Sequence, residues 1–249
     1  MKTFGLIGYP LGHSFSKKFF TEKFAAEQRS DHQYLNFEID SIEKFPDILS
    51  KNPDLAGLNC TIPYKQAVIP YLDEIDEEAL KVGAVNTVKI SGSGIHRKLK
   101  GYNTDIIGFE RSLAPMLGVK HKKALILGTG GASKAIQYVL SKWGIDFLSA
   151  SIEDPLYEKE IRYHQIDAEL LAERLIIIHA TPLGTYPKVD ACPPIPYVAL
   201  TPDHILFDLV YNPEVTLFLK KGKENGAKVK NGLEMLHGQA IAAWDIWNE

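Results

Sequence analysis

Between Ala124 and Ser151 a strand pattern, Ala124–Leu127, runs into Gly128-Thr129-Gly130-Gly131-Ala132. A helical pattern follows through Trp143, stopped by Gly144, and then a second strand pattern, Phe147–Ser151. Strand, turn, helix and strand in that order make a βαβ unit, and parallel strands joined in this way lie in a sheet covered by helices. The glycines allow backbone N–H groups to approach a pyrophosphate, and the helix N-terminus adds partial positive charge. Ser133 stands where G-x-G-x-x-G has its last glycine, so a tight connection without a ligand is the plain alternative. Strand patterns at Leu175–His179 and Ile205–Val210, separated by a proline-rich loop from Tyr186 to Pro196, extend the same sheet. A Rossmann-like, doubly wound parallel sheet is expected here.

The first half reads differently. Lys2–Gly8, Tyr34–Ile39, Ala56–Thr61 and Ala84–Ile90 have strand patterns, and helical patterns occupy Ser41–Lys51 and Asp76–Val82. Ser14 is the expected N-cap of a helix that packs through Phe15, Phe19 and Phe24. Ser91-Gly92-Ser93-Gly94 joins Val85–Ile90 to Ile95–Leu99 as a hairpin, which makes this sheet mixed. A helix over Ile106–Leu117, closed by a left-handed Gly118, follows a domain junction near Asp105. Leu233–Trp247 is an amphipathic helix with a stripe of Leu233, Leu236, Ala240, Ala243 and Trp247. The fold class is α/β with two domains.

Composition removes several kinds of function. With 249 residues, 45% hydrophobic, the chain buries a core without staples. Its 28 basic and 31 acidic side chains, net -3, give no field for a polyanion, so nucleic acid is not an expected partner. The apolar run Leu175–Ile178 is far short of the roughly 20 residues that span a bilayer. No membrane partner is expected, and a cytoplasmic location is. Cys60 and Cys192 lie far apart with no ligand spacing, so neither a disulfide nor a metal site is expected.

Polar islands flank the first-half strands: Gly12-His13-Ser14-Phe15-Ser16, Asn59-Cys60-Thr61-Ile62-Pro63-Tyr64-Lys65, Gly83-Ala84-Val85-Asn86-Thr87 and Gly101-Tyr102-Asn103-Thr104-Asp105. Ligands of open α/β sheets collect outside strand carboxyl ends, and this inventory suits a small polyhydroxylated acid. Lys65 with Asp105 is the chemically interesting pair. A lysine held by a carboxylate can protonate a carbonyl oxygen as hydride reaches the carbon. A solvated ion pair is the bland alternative.

The chain resembles the shikimate dehydrogenase family almost end to end. The resemblance is carried by Gly8-x-Pro10-x-x-His13-Ser14-x-Ser16, Asn59-x-Thr61-x-Pro63-x-Lys65, Gly83-Ala84-Val85-Asn86-Thr87 and Asn103-Thr104-Asp105. In the second half it is carried by Ala180-Thr181-Pro182-x-Gly184, Asp208-x-x-Tyr211-x-Pro213 and Gly232-x-x-Met235-Leu236-x-x-Gln239-Ala240. It implies NADP-dependent reduction of 3-dehydroshikimate to shikimate, on the route to chorismate and the aromatic amino acids. Lys65 and Asp105 would be the catalytic pair, and Ser14, Ser16, Thr61, Asn86, Tyr211 and Gln239 would bind the substrate. Gly128, Gly130, Gly131 and Ala132 would cradle the cofactor phosphates, with Thr181, Gly232 and Met235 flanking the nicotinamide. The implied domains are 1–105, completed by the helix 233–249, and 106–232, hinged about a cleft.

The sequence departs from the family pattern in four places. Lys17 stands for a proline, His179 for an Asn, and Thr185 for a Met. The Arg that follows the second nucleotide strand and clamps the 2′-phosphate is absent, with Ile152 or a neighbour in its place. Ser149 and Ser151 are the candidate phosphate donors there, while Glu153 or Asp154 suits the free hydroxyl of NAD. NADP is the expected cofactor, with NAD possible. The alternatives are a quinate/shikimate dehydrogenase using NAD, and a regulatory protein that binds the ligand with little catalysis. A folate-linked dehydrogenase rests on fold analogy alone. The expected partner is the small-molecule substrate, in a monomer or homodimer.

Overall fold

The computed structural model describes residues 1–12 and 15–249. The elements of its first half are β1 (Lys2–Gly8), α1 (Phe15–Ala26), β2 (His32–Glu38), α2 (Phe45–Lys51), β3 (Leu55–Cys60), α3 (Tyr64–Ala67), β4 (Glu74–Ile75), α4 (Glu77–Val82), β5 (Thr87–Ser91) and β6 (Lys98–Tyr102). There follow α5 (Thr104–Leu113), β7 (Lys123–Leu127), α6 (Gly131–Lys142), β8 (Asp146–Ser151), β9 (Glu160–Arg162), α7 (Ala168–Glu173), β10 (Ile176–His179), β11 (Ile205–Asp208), α8 (Leu217–Glu224), β12 (Lys228–Lys230) and α9 (Leu233–Asn248). Among the described residues these strands make two six-stranded sheets. The chain divides into two compact units, Met1–Asp105 with Gln239–Glu249, and Ile106–Gly238.

The first sheet is mixed, in the order β2-β1-β3-β5-β6-β4. β1 lies parallel to β2 and β3, whereas β5 is antiparallel to β3 and β6. The hairpin forms, displaced toward the C-terminus from its expected bounds. Gly92 and Gly94 take positive φ and a 3-10 turn over Gly94–His96 fills the connection, while the Val85 N–H is drawn off to the Lys65 carbonyl. Phe4, Phe20, Phe24 and Tyr34 form a core with Trp244 and Trp247 of α9. The Trp247 indole donates to the Val88 carbonyl at 3.0 Å and lies on Gly57, where a Cβ would occupy the space of the ring. A buried aromatic of this size removes roughly 150–250 Å² from water, worth about 4–6 kcal/mol. The α9 stripe is shorter than expected: Ala240, Ala243 and Trp247 are buried, but Leu233 is exposed.

The second sheet is wholly parallel, in the order β12-β11-β10-β7-β8-β9. Counted within the unit this is the doubly wound order, reversing between β7 and β10. β10 is Ile176-Ile177-Ile178-His179, all buried, as a central parallel strand requires. The register sets His179 level with Leu127, so the β7 and β10 carboxyl ends stand side by side. Gly144, at φ +67, closes α6. The expected Ile106–Leu117 helix is instead α5 followed by a 3-10 turn at Ala114–Met116, because Pro115 interrupts the α pattern. Gly118 is not left-handed there; its N–H donates to His121 Nδ1 at 2.7 Å. No helix among the described residues is long and apolar enough to cross a membrane.

Candidate active site

In the first unit β3 ends at Cys60, the chain turns at Thr61–Pro63, and α3 presents Lys65. The Tyr64 hydroxyl donates to the Ile39 carbonyl at 2.5 Å and the Val85 N–H to the Lys65 carbonyl at 2.7 Å, which fixes this one-turn helix from both sides. Lys65 Nζ reaches Asp105 Oδ2, in the first turn of α5, at 2.6 Å. The two side chains retain 19% and 13% of their exposure. They are dry enough for a strong attraction and open enough to meet a ligand.

A buried polar network frames the pair. The Thr104 backbone N–H donates to Asn86 Oδ1 at 2.7 Å, which identifies that atom as the amide oxygen. The Asn86 N–H and carbonyl bond Tyr102 and Cys60. These bonds leave Nδ2 as the Asn86 donor not engaged in them. Thr87 Oγ1 and Thr104 Oγ1 stand 3.1 Å apart, and Thr87 Oγ1 also accepts from Asn59 Nδ2 at 3.2 Å. Asn59 Oδ1 takes the Tyr34 hydroxyl at 2.8 Å. Burial holds the Tyr34 phenol well above its ordinary range, against a hydrogen bond with Ser16 that lowers it. Ser16 on α1 is thereby tied to the network that locates Asn86. Tyr34, Thr87 and Thr104 are positioning residues: Thr87 and Thr104 stand within the polar islands of the sequence but carry no role of their own there, and Tyr34 reads only as the start of a strand.

Other first-unit candidates lie as follows. Thr61 borders Gly8 at the carboxyl ends of β3 and β1, with its N–H on the Ile7 carbonyl. Gln239 is buried on α9. Ser14 and His13 lie outside the described residues. Cys60 is buried, which pushes its thiol up to about 12, so it is no nucleophile.

The second unit builds with backbone. Gly128 has φ +115, a conformation that L side chains rarely adopt, and its added Cβ would come within 2.7 Å of Thr181 Cγ2. Gly130 is the N-cap of α6 with no side-chain cap, and among the described residues nothing beyond its own turn of chain lies within 4 Å of a Cβ built at Gly130 or Gly131. Open space before uncapped helical N–H groups fits a phosphate-bearing cofactor. Ser133 is buried and its hydroxyl turns back to the Gly130 carbonyl at 2.6 Å, bracing the turn in place of the third glycine.

At the end of β10, His179 is fully buried between Asp208 and Thr181: Nδ1 lies 2.9 Å from Asp208 Oδ1 and Nε2 2.5 Å from Thr181 Oγ1. Asp208 also accepts from the Val210 N–H at 2.9 Å and from the Thr216 hydroxyl. A carboxylate only accepts, so Nδ1 bears the hydrogen and, in the neutral ring, Nε2 accepts from the Thr181 hydroxyl. His179 thus orients Thr181 beside the glycine turn. Met235 is buried and Gly232 packs on the Leu209 carbonyl, while Tyr211 is half-exposed with its phenol raised by partial burial. Ser149 is buried within β8, where its hydroxyl accepts from Gln137 Nε2 at 3.2 Å. The Ser151 hydroxyl accepts from the Glu153 N–H at 3.0 Å.

A family model for the shikimate dehydrogenase substrate binding domain matches residues 6–88. A shikimate dehydrogenase (NADP(+)) from Clostridium beijerinckii is 39% identical over 100% of this chain and 93% of its own. A shikimate 5-dehydrogenase from Thermus thermophilus, solved with NADP(H) and shikimate, has a TM-score of 0.84 at 30% identity, covering 99% of this chain and 93% of its own. A quinate dehydrogenase from Corynebacterium glutamicum, solved with NAD, has a TM-score of 0.87 at 28% identity, with coverage of 99% and 93%. With likeness of sequence and fold across both units, the chain belongs to the shikimate dehydrogenase family.

Proposed function

We propose that the protein interconverts 3-dehydroshikimate and shikimate using NADP, with Lys65 and Asp105 handling the proton. The observation that carries this reading is the 2.6 Å contact of Lys65 with Asp105, part-buried beside the Asn86 amide. In the direction of reduction the reduced nucleotide, when bound, would supply hydride to the ketone carbon. Lys65 hydrogen-bonds the ketone oxygen and gives it a proton as negative charge develops, and Asp105 holds the ammonium in line. Ser14, Ser16, Thr61, Asn86, Tyr211 and Gln239 bind the substrate carboxylate and hydroxyls. The N–H groups of the Gly128–Ala132 turn hold the nucleotide phosphates, and Thr181, Gly232 and Met235 border its nicotinamide.

The test is loss of reduced-nucleotide absorbance with 3-dehydroshikimate, run in parallel with NADPH and NADH. Turnover with preference for NADPH is expected. A second reading, an NAD-using quinate/shikimate dehydrogenase, is favoured by the lack of any basic residue in Phe147–Asp154, and preference for NADH would select it. Oxidation of neither nucleotide would overturn both, and tight shikimate binding alone would then mark a ligand-binding protein.

A further inference from the structure

A base absent from the second-strand exit in sequence is present there in space. β9 pairs in parallel with β8, with Arg162 level with Ser151, so the last residues of the two strands stand together. The Arg162 side chain folds over that exit. Nη1 donates to the Ile152 carbonyl, Nε to Asp154 Oδ1 at 3.1 Å, and Nη2 to the same carboxylate oxygen. A guanidinium carries five N–H groups, and these bonds use three. One remains on each Nη, a planar pair of the kind that grips phosphate oxygens.

The exit of the strand after the glycine turn is where a dinucleotide's ribose is read, by an acid for a 2′-hydroxyl or by Arg for a 2′-phosphate. The serines near it carry no charge: the Ser149 and Ser151 hydroxyls accept from Gln137 Nε2 and from the Glu153 N–H and keep only a neutral O–H each. Lys159 Nζ bonds Asp146 at the opposite end of β8. Resting on the NADP reading above, we propose that Arg162 recognises the ribose 2′-phosphate and that Asp154 is its partner in the absence of nucleotide. The Asp154 carboxylate is 89% exposed, so solvent weakens its hold and a phosphate dianion can displace it. Once the phosphate is seated, Asp154 repels it.

The test is calorimetric titration of the intact chain with adenosine 2′,5′-bisphosphate and with adenosine 5′-monophosphate, which needs no turnover. Wild type is expected to prefer the bisphosphate. Arg162→Ala should reduce that preference about 10- to 100-fold, the range for charge-assisted hydrogen bonds, with the monophosphate affinity within about twofold. Arg162→Lys should keep part of the preference, and Asp154→Asn should increase it severalfold. A preference unchanged in Arg162→Ala, absent in wild type, or lost instead in Lys134→Ala, a base in the first turn of α6, would overturn the proposal. Failure of the parent reading shows separately: an Arg162-dependent preference with no NADPH oxidation would retain the phosphate site and reject the activity.

Discussion

The two units solve the same problem, presenting polar groups at strand ends, by opposite means. The first uses side chains: Asn86, Thr87, Thr104, Asn59 and Tyr34 bond one another out of water, and Lys65 leans on Asp105. The second uses backbone, a glycine turn and an uncapped helix start, with His179 and Ser133 bracing it from beneath. Side-chain donors distinguish one small polar molecule from another, because a missing partner leaves a buried group unpaired. Backbone donors hold a phosphate wherever the main chain can approach it.

Four substitutions sharpen this contrast. The largest stability loss is expected for His179→Ala, which removes a buried partner of Asp208 and opens a cavity; about 3 kcal/mol should be lost in denaturant unfolding. Gly128→Ala next forces a Cβ toward Thr181 at φ +115. A strain of ~1–3 kcal/mol should appear mainly as a raised nucleotide KM, with shikimate affinity close to wild type. Thr104→Val removes one hydroxyl from the network, and ~1–2 kcal/mol of stability and a severalfold rise in substrate KM are expected, with nucleotide affinity unchanged. If it weakened nucleotide binding as much as substrate binding, the division of labour would be wrong. Last, Cys192→Ser should abolish the fast reaction of the native protein with a thiol reagent, because Cys60 is buried and its thiol pushed up to about 12. Below the unfolded thiol's ~8.5 the buried Cys60 leaves stability independent of pH, and stability falls as pH rises from there to the folded value of about 12.

The contrast also explains what was legible. The glycine turn and the apolar strands around it are local patterns, and β7, α6, β8 and β10 fall within a residue or two of expectation. β4, β9 and β12 hold two or three residues each, too few for a period, and escaped reading. α7 and α8, short helices of six and eight residues, escaped as well. Leu233 was misjudged because a repeating stripe records spacing and not where its partner surface ends. Lys65 and Asp105 were visible as chemistry at strand ends, but the path from Tyr34 through Asn59 to Thr87 joins residues far apart in the chain. Arg162 is hidden for the same reason: only the β8–β9 register brings it to Asp154.

The most direct measurement is to set turnover against nucleotide affinity in Lys65→Ala, with NADPH binding followed by its fluorescence. The account predicts a loss of about 10²- to 10⁴-fold in kcat while the NADPH Kd stays within about twofold of wild type. Turnover surviving within tenfold, or affinity falling in step with it, would contradict the assignment of proton transfer to Lys65.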